Sequence, residues 1–490
     1  MNHQEYLKLI DEVIEKGRYK DNWDSLSGHK TPEWYYKGKL GIFIHWGIYS
    51  VPAAFNEWYP RGMYIEGTDE YKYHIEHFGN HKDFGYKDFI PDFKAEKFSA
   101  DEWIKLFKEA GAAFVTPVAE HHDGFAMYDT EFNRWNAKLM GPCRDVVGEL
   151  KVACEKEGLT FCASNHRAEH YFFLNGGRRI DSDVNDEEYR DFYGPAVDSD
   201  ELLDGMGDAT ESVDGEEPTE EWLQDWLVRL CEMVDKYQPL IVYFDWWIQN
   251  KGFKPYLKKF AAYYYNRAAE WGKEVTINYK HNAFPLGVAT LDIEKGALAG
   301  VSPFPWQTDT NIGKRSWGYR KDNEFKSPYE VVTTLIDVVS KNGMLLLNIG
   351  PKPDGTITDE ETAVLKEMGK WLKVNGEGIY GATPWLKFME GEAKTKEGAF
   401  SEGEIPYTEN DFRFTCKNTI VYAYQMKPAE GTEVAIKSLR AGFRGNLVKN
   451  VTLLGSDEKV KFTADKEALH ITLSEKPETD LPLCFRIELL

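Results

Sequence analysis

The residues able to do chemistry in this chain stand at the ends of short apolar runs. GIFI leads into His45 and Trp46, and Glu57 and Trp58 follow in the next loop. FVTPVA runs out at Glu120, His121, His122 and Asp123. TFCA gives Ser164, Asn165 and His166, with Glu169 and His170 just beyond. IVYF ends on Asp245 between bulky neighbours, and VTI ends on Asn278, Tyr279 and Lys280. Taken alone, His45 reads as a satisfied core histidine, and Asp245 as a helix cap. Aspartate is almost never buried without a partner, however, and IVYFDWW surrounds it with apolar bulk. That favours a working carboxylate. Glu57, beside Trp58 and Tyr59, reads equally as a surface residue or a pocket residue. Two chemistries suit the histidines. Neutral imidazoles hydrogen-bond the hydroxyls of a ligand, or three or four donors close around a metal ion. His121 and His122 are adjacent rather than spaced along a helix face, which favours hydrogen bonding and keeps metal as the rival.

The elements that must position these residues alternate. Apolar runs near residues 40, 114, 160, 241, 276 and 344 are separated by amphipathic stretches, such as SADEWIKLFKEAG with Ser99 as N-cap and Gly111 as stop. Continuous apolar strands between helices indicate a parallel sheet covered on both faces. The number of units predicts an α/β fold of (β/α)8-like TIM barrel type, with a doubly wound sheet second. In such a barrel the chemistry lies at the C-terminal ends of the strands, where these residues recur. After about residue 385 the pattern becomes short β-runs between turns, such as NTIVYAYQM and CFRIELL, predicting a C-terminal antiparallel β-sandwich. The expected division is 1–385 for the barrel and 386–490 for the sandwich. A long acidic insertion at about 175–220 is expected to be an exposed loop.

Composition narrows the partners. The 490 residues carry 59 basic against 81 acidic side chains, a net charge of −22. That balance disfavours nucleic acid and anionic membrane surfaces. Aromatic residues make up 14%, with 15 Trp and 27 Tyr, and flat apolar faces with polar edges suit sugar rings. The polar amphipathic N-terminus has no signal-peptide core, and six scattered cysteines form no C-x-x-C pair. Both point to a reducing, cytoplasmic setting. The aromatic content leans towards a small-molecule carbohydrate partner; a homo-oligomer is compatible with the sequence.

Five segments in order, IHWGIYSVPAAFNEWYP, HHDGFAMYDT, IVYFDWW, SWGYR and LLLNIGPKPDGTI, resemble the signature segments of the α-L-fucosidases of glycoside hydrolase family 29. The similarity runs from about residue 34 to 385. It implies a barrel followed by a β-sandwich, and retaining hydrolysis of terminal α-L-fucose with no cofactor. Asp245 matches the family's nucleophile. His45, His121 and His122 match the residues that hold the fucose hydroxyls, Glu57 and Trp58 match the pocket loop, and Trp317 matches the aromatic by the sugar's methyl group. Glu294 is the best match for the acid/base, with Glu57 second. Two departures stand out. Gln307 follows Trp306 where many members have a glutamate, and ASNHRAEHYFF replaces a tyrosine-bearing segment, with His166 and His170 as substitutes. The alternatives are a metal-dependent hydrolase built on the histidines, or a fucose-binding protein that has lost its acid.

Overall fold

The computed structural model describes residues 1–199, 216–442, 447–457 and 459–490. The barrel strands are β1 (Leu40–Ile44), β2 (Phe114–Glu120), β3 (Thr160–Phe161), β4 (Ala163–Asn165), β5 (Ile241–Phe244), β6 (Thr276–Tyr279), β7 (Thr290–Leu291), β8 (Trp306–Asn311) and β9 (Gly343–Ile349). All pair in parallel, in the spatial order β7-β6-β5-β4-β2-β1-β9-β8, with β3 beside β2 as a short start to the β4 position. The ring closes between β7 and β8 through an Asp292–Gln307 bridge and an Ile293 N–H to Gln307 carbonyl bond of 2.9 Å. The predicted barrel is therefore present.

The helices form where amphipathic spacing and end signals agree. Ala100–Glu109 is capped by Ser99, whose hydroxyl accepts the Glu102 N–H at 3.3 Å, and it buries Trp103, Ile104 and Phe107. The chain leaves it through Gly111 at φ +90°, a conformation that glycine adopts without strain. Asp145 caps Val146–Glu157 in the same way. β1, β2, β5 and β9 are buried along their whole length, because helices cover one face and the barrel interior the other.

Two strands escape the apolar pattern. β7 has two residues, and β8 reads WQTDTN, a polar string that is nonetheless buried at every position. Its polar groups find partners: Gln307 Oε1 accepts from Tyr35 Oη at 2.6 Å, Thr308 Oγ1 donates to the Ile293 carbonyl at 2.7 Å, and Thr310 Oγ1 donates to Glu402 at 2.8 Å.

The C-terminal part holds a five-stranded and a three-stranded antiparallel sheet, opening with the strand Thr383–Glu390. Between the sheets lies an apolar core containing Phe412, Phe414, Leu469 and Phe485. It is tied to the barrel by a buried ion pair, Arg413 Nε to Asp337 Oδ1 at 2.6 Å, and by Trp371 Nε1 donating to the Pro482 carbonyl at 2.8 Å. Of the acidic insertion, residues 200–215 lie outside the described residues. The part before them is mixed: Asp181, Asn185, Glu187, Glu188, Arg190 and Asp191 are exposed, while Ser182, Val184, Phe192 and Tyr193 pack inward and buried Asp183 accepts from Tyr64 Oη at 2.9 Å and pairs with Lys87 at 3.1 Å. Among the described residues no helix is long and apolar enough to cross a membrane.

Candidate active site

A cavity of about 430 Å³ opens at the C-terminal ends of the barrel strands. The strand ends deliver its polar walls. His45 follows β1 directly, His121 and His122 follow β2, His166 follows β4 and Asp245 follows β5. Glu57 and Trp58 come from the loop after β1, Glu294 from the turn after β7, and Trp317 from the loop after β8. Nine of the sequence-derived site residues line this one cavity.

Asp245 caps no helix: the short 3-10 helix Lys251–Phe253 is capped by Asn250, and the α-helix Lys254–Trp271 starts from Phe253. Its carboxylate instead receives His166 Nδ1 at 2.8 Å, and His122 Nε2 stands 3.4 Å away. Burial by itself would raise Asp245, but His166 and His122 outweigh it and hold the group well below the usual carboxylate range. His122 donates from Nδ1 to the His166 carbonyl at 2.8 Å, and Glu169 lies 3.6 Å behind it. Burial opposes charging of His122, yet Glu169 and Asp245 lift it to about 9. His166 is different. Burial dominates there and lowers it, despite the Asp245 contact. The carboxylate thus faces one imidazolium and one neutral imidazole.

The other carboxyl groups stand in a contrasting setting. Lys280, fully buried, contacts Asp292 at 2.7 Å, Asp309 at 3.1 Å and Glu294 at 3.2 Å. Three acids share one ammonium, and burial penalises every charge they carry. Burial raises Glu294 to about 7, with Lys280 pulling it down and the Asp309 and Asp245 charges pushing it up. Burial likewise raises Asp309 to about 8, helped by Asp292. Glu294 is the more accessible of the two, its side chain 10% exposed against 2% for Asp309. Trp246 Nε1 donates to Glu294 Oε2 at 2.6 Å. That tryptophan is aimed by a tight turn in which Trp247 takes φ +73°, a strained conformation for a bulky residue.

Glu57 holds a loop. Its Oε2 accepts from Trp317 N–H at 2.8 Å and Ser316 Oγ at 3.1 Å, which fixes Trp317 against the pocket. Asn348, at the end of β9, ties the same loop to His45: its Nδ2 donates to the Trp317 carbonyl at 2.7 Å, and its Oδ1 accepts from His45 Nδ1 at 2.7 Å. In neutral His45 the remaining ring nitrogen is then an acceptor. Gly350 follows, where an added Cβ would lie 2.7 Å from the Gly318 backbone, so only glycine lets the two segments meet. Trp58 packs edge-on against His122 and Phe173.

Some expected residues stand elsewhere. His170 does not line the cavity; its Nδ1 donates to the His122 carbonyl at 2.8 Å, so it braces the strand end from behind. Glu120 turns outward into an ion pair with Arg229 and Arg167. Gln307 lies in the barrel wall, where Nε2 donates to Asp292 at 2.6 Å, so the position that departs from the family pattern does not face the cavity. Sequence reasoning passed over Asp309, Asn348 and Phe400. The first lies in a strand too polar to be recognised, the second inside an apolar run, and the third more than 80 residues beyond the barrel strand it approaches. Two overlapping groups, His45/His121/His166 and His122/His166/Asp245, bring donor atoms within 4.8 Å of one another. His166, common to both, already contacts Asp245 through Nδ1 and Ser164 through Nε2.

The family model described as alpha-L-fucosidase matches residues 7–377. The chain belongs to the α-L-fucosidase family. The tissue alpha-L-fucosidase of Mus musculus is 28% identical over 96% of this chain and 93% of that protein. The plasma alpha-L-fucosidase of Homo sapiens is 31% identical over 75% of this chain and 73% of its own length. Among solved structures, the alpha-fucosidase of Thermotoga maritima in complex with a mechanism based inhibitor superimposes with a TM-score of 0.75 at 28% identity, covering 96% of this chain and all of that one. As a family member the chain is a glycoside hydrolase, and the family's retaining chemistry requires two carboxyl groups with different protonation states in one pocket.

Proposed function

We propose that this α-L-fucosidase works through Asp245 as nucleophile and Glu294 as acid/base. The observation that carries this reading is the opposed setting of two carboxyl groups in one cavity: Asp245 kept ionised by histidines, Glu294 kept protonated up to about 7 by burial among other acids. In the first step Asp245 attacks the anomeric carbon of the α-L-fucoside, and the C–O bond to the aglycone breaks. Glu294 gives its proton to the leaving oxygen. The product is a β-linked glycosyl-enzyme ester. In the second step Glu294 takes a proton from water, the water oxygen attacks the same carbon, and Asp245 leaves, returning α-L-fucose.

Around this pair, His45, His121 and His122 bind the sugar hydroxyls, His166 positions Asp245, and Trp58 and Trp317 supply apolar surface. Glu57 holds the Trp317 loop. Asp309 is the rival acid, since it too retains a proton near neutral pH, but it is nearly sealed beneath Lys280 and Tyr243, which donates to it at 2.8 Å.

The test is hydrolysis of 4-nitrophenyl α-L-fucopyranoside by the wild type and by Asp245→Ala, Glu294→Ala and Asp309→Asn, each with and without azide. Azide should give β-fucosyl azide with Asp245→Ala, by direct displacement, and α-fucosyl azide with Glu294→Ala, by attack on the glycosyl-enzyme. Azide rescue of Asp309→Asn instead of Glu294→Ala would move the acid/base role to Asp309. Activity unchanged by a chelator is expected; loss that added metal restores would favour the histidine-bound metal. We further infer a reducing, cytoplasmic setting from six unpaired cysteines, four of them buried. Alkylation of the protein taken directly from its cells should count six free thiols, and a disulfide would overturn the inference.

A further inference from the structure

The leaving group of a fucosidase must lie on the side of the pocket that holds the acid, because the proton goes to the glycosidic oxygen. Resting on the assignment of Glu294 above, that side is the turn after β7 and its neighbour Trp246. A segment from beyond the barrel is bound to that turn. Residues 398–402 are bonded along it, starting from an antiparallel bridge at Gly398 and Ala297: Gly398 N–H donates to the Ala297 carbonyl at 2.9 Å, Phe400 N–H to the Glu294 carbonyl at 2.7 Å, and Glu402 N–H to the Lys295 carbonyl at 2.7 Å. Gly296 and Gly398 approach so closely that a Cβ on Gly296 would lie 1.9 Å from the Gly398 oxygen. The Glu402 carboxylate fastens the far end, accepting from Thr310 at 2.8 Å and Lys326 at 2.6 Å. Three backbone bonds and a two-partner carboxylate clamp make this a fixed wall.

What the wall presents is Phe400. Its ring lies nearly parallel to the Trp246 indole, at 19° with centroids 5.9 Å apart, and it lines the cavity while remaining 58% exposed. A large apolar side chain left this open, held by its own backbone at the rim of a polar pocket, has surface to offer a ligand. We propose that Phe400 and Trp246 form the leaving-group subsite, taking the apolar C–H face of a second pyranose ring. The C-terminal part of the chain then has a part in substrate choice: it supplies the outer half of the platform, and Trp246 links that platform to the acid.

The experiment compares two substrates whose leaving groups both need a proton, only one of which offers a ring. These are methyl α-L-fucopyranoside and an α-L-fucosyl hexopyranose disaccharide. In Phe400→Ala, kcat/KM for the disaccharide should fall roughly tenfold, the scale of one lost aromatic contact, while the methyl fucoside is unchanged. Phe400→Trp should restore the disaccharide rate. An equal fall on both substrates would mean that Phe400 only positions the Glu294 turn, and no change on either would mean that its ring is not a contact; each overturns the proposal. A wild type that turns over neither substrate would fail earlier, at the fucosidase assignment itself. Loss of folding in Phe400→Ala would show as a shift in melting temperature. Phe400→Ser and Phe400→Leu, read on the same substrate pair, would then give the comparison.

Discussion

The two sides of the pocket compensate their buried carboxyl groups to different degrees. On the β2–β5 side, Asp245 is met by His166 at 2.8 Å and His122 at 3.4 Å, with Glu169 behind His122 at 3.6 Å. On the β6–β8 side, one ammonium, Lys280, is met by Asp292, Asp309 and Glu294. Both sides are buried, so desolvation acts on each with the same sign. What differs is the count of compensating charges. Two imidazoles against its carboxylate keep the proton off Asp245, and three acids sharing one ammonium leave protons on Glu294 and Asp309. Retaining hydrolysis needs one carboxylate and one carboxylic acid at the same pH, and the asymmetry supplies both without a cofactor.

Removing either reacting group breaks the comparison most severely. Asp245→Ala deletes the covalent route, and kcat should fall by on the order of 10^4-fold or more. Glu294→Gln keeps the shape and removes the proton, with an expected loss of about 10²- to 10⁴-fold on alkyl fucosides. The pH profile distinguishes the two sides further. Glu294 must be protonated in the first step, so kcat/KM should decline as pH rises through about 7. Asp245 must be ionised, and since it lies well below the carboxylate range, the acid limb should fall below the usual region near 4. Loss of the limb near 7 in Glu294→Gln would tie it to that group; its persistence would assign it elsewhere.

A subtler change alters the ratio itself. Lys280 is what pulls Glu294 down, so Lys280→Met should move the basic limb to higher pH while leaving the acid limb in place. The same variant leaves Asp292 and Asp309 buried without their cation, a loss of about 3–5 kcal/mol in stability for a broken buried pair. Chemical denaturation and the pH profile read the two effects separately. An unmoved basic limb in a folded Lys280→Met would show that the acid pKa is set by burial alone.

The legible part of this site followed the apolar strands. IFIHW, PVAEHH and IVYFDWW are runs whose ends are visible because hydrophobic residues give way to His or Asp, and each turned out to end at the cavity. The acid-rich side was harder to read for the same reason in reverse. β8 buries all of WQTDTN by pairing its polar groups, Gln307 and Asp309 inside the barrel and Thr310 with Glu402 from beyond it, so no hydrophobic period marks it as a strand. Asp309 was therefore invisible as a strand-end residue, although Lys280 opposite it was noticed. Glu169 was seen but its place under His122 was not, since a short 3-10 turn, Arg167–Tyr171, folds it back beneath the strand end. The contribution of Phe400 depends on backbone contacts between segments about 100 residues apart, and single-sequence periodicity carries no trace of such pairing.

The smallest expected effect concerns Glu57, which stands apart from both groups of charges. Its Oε2 accepts from the Trp317 N–H and the Ser316 hydroxyl, and the same loop is braced by Asn348 and so by His45. Glu57→Gln retains an acceptor oxygen but weakens a charge-assisted bond, which is worth about 1.5–3 kcal/mol when lost outright. Partial loss should loosen Trp317 and raise KM about tenfold, with kcat little changed and azide without effect. A proton donor would behave differently: kcat would drop by about 10²-fold or more, and azide would restore it. The KM-against-kcat split in this one variant therefore decides whether the acid comes from the three-carboxyl side of the pocket or from the loop across it. The contrast between the two sides stands as the source of the paired pKa values only if the loss falls on KM.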